Sequence, residues 1–111
     1  MEGVIDIDEF KKVKMVVAKI YKAEKVENAD RLLRLEVDTG EDQRQLVAGI
    51  AQYYKPEELV GRKIIIVKNL KPAKIRGIES RGMILAASDP ETGRPYIPII
   101  PEETPVGSVM G

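Results

Sequence analysis

The 111-residue chain has no cysteine and no histidine. Without cysteine there is neither a disulfide framework nor a thiolate nucleophile, which fits a reducing compartment. Without histidine the commonest general base is missing as well. Tryptophan is absent, and four Tyr and one Phe are the only aromatic residues, so a packed interior must rest on Ile, Leu, Val and Met. Such sparse rings also argue against a platform on which successive single-strand bases stack. No apolar run approaches the ~20 residues of a membrane span. The N-terminus carries Glu2, Asp6, Asp8 and Glu9, so the basic start of a signal peptide is lacking. With only five Asn plus Gln and 32% charged residues, the composition resembles hyperthermophile usage. These absences describe a soluble, cytoplasmic chain of one domain spanning residues 1–111, with no cofactor and no metal site.

Net charge is lacking too, because 18 Lys and Arg balance 18 Asp and Glu. That zero conceals segregation. Residues 60–88 carry seven Lys or Arg against the single acid Glu79, while the flanking segments are both acidic. The block centres on Asn69-Leu70-Lys71-Pro72-Ala73-Lys74-Ile75-Arg76-Gly77-Ile78-Glu79-Ser80-Arg81-Gly82-Met83, a cationic, glycine-punctuated loop between two apolar strands. A concentrated positive patch on a neutral protein points to a defined anionic partner.

Patterning predicts mostly strands. Ile7–Lys12 reads as a short helix with Asp6 and Glu9 as a capping pair; it is too short to stand alone. Met15–Val26 is long, apolar and β-branched, hence a bent first strand. Asn28–Arg31 is a turn. Leu33, Leu35 and Val37 alternate with Arg34, Glu36 and Asp38, the period of a strand with one wet face. A turn at Thr39–Asp42 leads into a third strand, Arg44–Ile50, where Gly49 suggests a bulge or close backbone approach. Lys55-Pro56-Glu57-Glu58-Leu59-Val60-Gly61 has the proline start, early acids and glycine stop of one helical turn. Lys63–Leu70 and Met83–Ser88 are the fourth and fifth strands. The core is then about residues 10–88, and residues 89–111, with five prolines, form an edge strand or extended arm. An all-β chain of five strands, with a short helix between the third and fourth, has the order of an OB-fold barrel.

The segment Asn69-Leu70-Lys71-Pro72, Lys74, Arg76-Gly77, Ser80, Gly82-Met83 and Leu85-Ala86 resembles the tRNA-binding OB domain of methionyl-tRNA synthetases, found as their C-terminal domain or β subunit. It is also similar to free-standing tRNA-binding relatives. Ala29-Asp30-Arg31-Leu32-Leu33 and Arg44–Ile50 fit the same pattern, with Arg31 in place of a lysine and Ala48 where serine is frequent. The resemblance implies a non-catalytic module that raises a synthetase's affinity for tRNA by sequence-independent, structure-based contacts. Its partners would be tRNA and a methionyl-tRNA synthetase catalytic module, fused or separate. It implies a tRNA site made of Arg31, Arg34, Lys68, Asn69, Lys71, Lys74, Arg76, Ser80, Arg81 and Met83. The cations would contact phosphate, Asn69 and Ser80 would hydrogen-bond to bases or sugars, and Met83 would pack on an unstacked base. Each has a simpler reading: solvated charge for the cations, a strand cap for Asn69, turn geometry for the glycines, core for Met83.

The resemblance further implies a homodimer. Phe10, Val13, Tyr96, Ile97, Ile99, Ile100 and Val106, with Met110, are the apolar residues available for its interface; the alternative is a tail that wraps its own barrel. Two other functions remain open, a chaperone-like or secretion-linked peptide binder and a general single-stranded nucleic-acid OB domain. No catalytic residues are assigned. Ser80 near Lys74 or Arg76 has nothing to orient it, and the acid pairs Glu41-Asp42, Glu57-Glu58 and Glu102-Glu103 lie in turns. Ligase activity would belong to a separate catalytic module.

Overall fold

A computed structural model describes residues 2–111. Its elements are α1 (Ile7–Phe10), β1 (Met15–Val26), β2 (Ala29–Asp38), β3 (Gln43–Ala48), α2 (Pro56–Leu59), β4 (Lys63–Val67), β5 (Ala73–Ile75), β6 (Ile78–Ser80), β7 (Met83–Ile84), β8 (Ala87–Ser88) and β9 (Pro95–Tyr96). An antiparallel sheet runs in the order β3-β2-β1-β4-β7. β1 changes partner along its length. Met15–Lys19 pair with β4, and Lys19–Val26 pair with β2. The β1–β2 register slips at Tyr21, and the extra residue bends the strand so that it serves both halves of the curved sheet.

The two ends of this sheet meet through single hydrogen bonds instead of a full ladder. Arg81 N–H donates to Gln45 O at 2.9 Å, and Val47 N–H donates to Ser80 Oγ at 3.0 Å. Gln45 Nε2 adds a bond to Glu79 O at 2.8 Å. Gly82 makes this approach possible. Its φ is +135°, and a Cβ there would lie 3.0 Å from both Leu46 Cδ2 and Val67 O, a space no other residue can use. The result is the five-stranded OB fold with α2 between β3 and β4.

Inside, Ile20, Leu33, Leu35, Val37, Leu46, Leu59, Ile64 and Ile66 are fully buried. The alternation read for β2 is realised, with Leu33, Leu35 and Val37 at 0% exposure. Leu59 of α2 belongs to the same buried cluster. Its helix is held by Glu58, whose carboxylate accepts from Lys55 N–H at 3.0 Å, and Gly61 N–H then bonds Ile20 O at 2.7 Å.

Several boundaries differ from the expected ones. α1 stops at Phe10, buries no side chain, and uses the Asp6 carbonyl without any side-chain cap. The turn after β1 centres on Asn28, whose φ is +62°, and Ala29 already belongs to β2. β3 ends at Ala48. Gly49 lies beyond it in open space, so it marks neither a bulge nor a close approach. The expected fifth strand is broken into β7 and β8, the latter pairing with β9.

The tail wraps its own barrel. Ile97 N–H bonds the Tyr54 hydroxyl and Arg62 donates to Ile97 O, each at 3.0 Å. Lys63 Nζ donates to the carbonyls of Glu102 and Thr104. Where β2 leaves β1, the tail takes its place: Gly107 N–H bonds Val17 O, Val17 N–H bonds Ser108 O, and Met110 N–H bonds Met15 O. Ile97 is therefore a core residue at 5% exposure, and the expectation that it lies in an intermolecular interface is corrected by that burial.

Candidate nucleic-acid interface

The cationic segment is a β-hairpin, not a loop. β5 and β6 pair Ala73 with Ser80, Lys74 with Glu79 and Ile75 with Ile78. Arg76 and Gly77 form the two-residue connection, at φ +54° and +80°. Positive φ at both central positions is the geometry whose twist matches paired strands. Gly77 thus serves the turn, whereas Arg76 holds a left-handed conformation that costs a non-glycine residue about 1–2 kcal/mol.

The base of the hairpin is bolted to the barrel. Arg44, whose side chain is only 9% exposed, pairs with Asp42 through Nη2 at 2.7 Å and Nε at 3.2 Å. Its Nη1 donates to Lys68 O at 2.9 Å and Arg81 O at 3.1 Å. One guanidinium therefore joins β3, the end of β4 and the hairpin's return. Asp42 also accepts from Thr39 Oγ1 at 2.6 Å. The Arg44 and Thr39 hydrogen bonds hold its carboxyl far below the usual aspartate range.

Three expected RNA contacts are occupied by this structural work. Ser80 is buried, its Oγ accepting from Val47 N–H and donating to Gly82 O at 3.2 Å; this corrects its assignment to a base or sugar contact. Asn69 Oδ1 accepts from Lys14 N–H at 2.8 Å, and Nδ2 donates to Lys12 O, so its amide ties the segment after α1 to the end of β4. Lys68 Nζ meets Glu41 Oε2 at 2.7 Å, with 15% of the Lys68 side chain exposed. That contact lowers the Glu41 pKa and neutralises the lysine. A fourth residue, Arg34, forms an ion pair with Glu24 across β1 and β2.

The remaining cations are free. Arg31, Lys71, Lys74, Arg76 and Arg81 are exposed, and none forms an ion pair among the described residues. Met83 is 48% exposed beside them in sequence, so it is not a core residue. Arg76 and Arg31 line one cleft with Ile75 and Leu32. Arg81 and Pro72, at the hairpin's base, border a larger groove of about 810 Å³. The hairpin stands between two concavities and carries unpaired cations toward both.

Sequence reasoning passed over Arg44, although a signal exists: it shares the parity of Leu46 and Ala48, so an arginine occupies an inward position two residues after Asp42. It also passed over Ile75, Leu32 and Asp30 as lining residues. Of the expected interface residues, Phe10 is 37%, Val13 43%, Tyr96 49% and Ile99 88% exposed, while Ile100 and Val106 are half-buried. No described helix is long and apolar enough to cross a membrane.

Residues 15–109 match the family model whose description is "Putative tRNA binding domain". A methionine–tRNA ligase from Thermotoga maritima is 56% identical over 93 residues, covering 84% of this chain and 15% of that protein. The curated relatives it matches are much longer, and the chain spans 13–16% of their length. Among solved structures, a MetRS related protein from Pyrococcus horikoshii superposes with a TM-score of 0.94 at 45% identity, each chain covered completely. The chaperone CsaA from Bacillus anthracis superposes with a TM-score of 0.88 at 27% identity, covering 98% of this chain and all of that one. The chain belongs to the tRNA-binding domain family shared with methionine–tRNA ligases.

Proposed function

We propose that this chain is a non-catalytic tRNA-binding module that supplies structure-based, sequence-independent contacts to a methionine–tRNA ligase catalytic module in the cytoplasm. The observation that carries this reading is the set of five exposed cations that form no ion pair among the described residues, held on and beside the hairpin. Folded tRNA presents A-form backbone and a few unstacked nucleotides, which proteins read by shape, phosphate and 2′-hydroxyl contacts. Linking such a surface to a catalytic module makes the second contact intramolecular and raises overall affinity without new chemistry.

The module acts as a two-fold homodimer in this reading. Supporting it, Phe10, Val13, Val109 and Met110 all line the 810 Å³ groove and leave apolar surface uncovered. Sedimentation at micromolar concentration should give twice the protomer mass; a monomer would remove the dimer.

The function is tested by comparing folded tRNA, unfolded RNA, single-stranded DNA and an unfolded protein at two salt concentrations. Folded tRNA should bind best and weaken steeply with salt. Changing Lys74 and Arg76 together to Ala should lower both the affinity and the salt slope. Equal binding of unfolded RNA and DNA would favour a general single-strand binder, and preference for the unfolded protein would favour a chaperone.

A further inference from the structure

We propose that the cleft between the β5–β6 turn and the β1–β2 turn captures a single unstacked nucleobase of the bound RNA. This rests on the tRNA-binding reading above and names the part of the RNA that one end of that face takes.

Two local irregularities make the cleft. The β1–β2 ladder slips between Lys25, which pairs with Leu33, and Val26, which pairs with Ala29. Asp30, Arg31 and Leu32 are thereby pushed out of register with β1, and Arg31 O is held from behind by Ala51 N–H at 3.1 Å. Opposite them stands the tip of the hairpin. Asn28, Asp30, Arg31, Leu32, Ile75 and Arg76 surround a space of about 410 Å³. Both turns contain a non-glycine residue at positive φ, Asn28 and Arg76. Asparagine adopts that conformation readily; arginine does not, and strain of this kind concentrates where a side chain must be aimed.

The lining chemistry is mixed in a way that suits a nucleotide. Ile75, 36% exposed, and Leu32 offer apolar surface to a ring face. Arg31 and Arg76, free of internal ion pairs, offer planar guanidinium groups that stack on a base or fork onto its phosphate. Asp30 offers an acceptor to ring or amino N–H groups on a base edge. Phosphate alone would leave the apolar wall unused and would face Asp30 unfavourably. Among the described residues no aromatic side chain lines the cleft to stack a second base. One base, splayed from an unpaired loop, uses every group present.

The experiment combines chemical probing of base reactivity with binding titrations on folded tRNA. With the unaltered protein, one or two unpaired bases should become protected. Ile75→Ala should restore their reactivity and weaken binding about tenfold, the effect of removing the buried methyl and methylene groups of one apolar side chain from a ring face, with no change in the salt slope. Making the protected nucleotide abasic should cost the unaltered protein the same factor and cost Ile75→Ala nothing further. If the unaltered protein binds tRNA with strong salt dependence yet protects no unpaired base, the cleft is not a base site, although the tRNA reading stands. The same holds if Ile75→Ala binds as tightly as the unaltered chain. Should folded tRNA win no preference at all, the functional reading itself falls and takes this inference with it. Should Ile75→Ala fail to fold, protection and the abasic substitution on the unaltered protein decide the matter.

Discussion

The base and the tip of one hairpin use similar residues for opposite purposes. At the base, Arg44 and Lys68 are nearly buried, each is matched by a carboxylate, and Ser80 serves a backbone N–H. At the tip, Lys74 and Arg76 are exposed and unpaired, and Arg76 sits in a strained turn conformation. A basic residue in a basic segment is therefore no guide to its role. What separates the two sets is whether the protein supplies the counter-charge. Where it does, the cation builds the platform; where it does not, the counter-charge must come from a partner.

The comparison breaks most visibly at the base. Gly82→Val puts side-chain atoms where Leu46 Cδ2 and Val67 O already lie and forces a branched residue to φ +135°. Strain and overpacking together should cost about 3 kcal/mol or more, read as a fall in the urea midpoint. Next in size is Ser80→Ala, which strands the buried Val47 N–H and should cost about 1–3 kcal/mol. The affinity of the folded fraction for tRNA should stay unchanged. Weaker tRNA binding by fully folded Ser80→Ala would place the hydroxyl on the RNA after all and erase the distinction between base and tip.

At the tip the two effects should separate in the other direction. Arg76→Asn relieves the left-handed strain, since asparagine accepts that conformation at lower cost. It should raise stability by about 0.5–1 kcal/mol while lowering tRNA affinity. The slope of log K against log salt should shrink by about 0.7–0.9, the share of one phosphate contact. A variant that gains stability and keeps its affinity would make Arg76 an accident of the turn.

Much of this architecture is legible in the residues themselves. The period-two run Leu33–Val37 and the apolar Ile64–Val67 specify buried strands, and Pro56 with Glu58 specifies α2. The hairpin was hidden because its connection, Arg76-Gly77, lacks the Asn or Asp that usually announces such a turn, although Ile75 and Ile78 flank it symmetrically. The division of cations was hidden for a different reason. Which lysine meets which glutamate depends on strands far apart in sequence, as Lys68 with Glu41 shows, and no local pattern carries that information. Asn69 and Ser80 misled because a polar residue inside a cationic segment reads as a ligand contact until the backbone group it satisfies is visible. Ile97 misled because proline-rich tails are usually exposed, whereas this one is drawn inward by Tyr54 and Arg62.

The last expected effects concern the electrostatics of the base, and the smallest of them is that of Glu41→Gln. Asp42 keeps its proton off far below the ordinary aspartate pKa because Arg44 and Thr39 stabilise the ionised form. A depressed folded-state pKa means that the unfolded chain takes up the proton first. The Asp42 contribution is therefore complete above about pH 5, and falls away as acid titrates the unfolded chain and then the native carboxylate. Because 38% of the Asp42 side chain is exposed, solvent screening limits the contribution to about 1 kcal/mol. Asp42→Asn should reproduce that loss at pH 7 and flatten the acid limb of the stability curve. Glu41→Gln should do much less, since its carboxylate is 82% exposed and solvent screens its pair with Lys68. Freed from Glu41, however, Lys68 becomes an unmatched cation beside Arg81. If counter-charge is what divides platform from binding surface, Glu41→Gln should bind tRNA slightly more tightly and steepen the salt slope, moving one residue from the first class to the second.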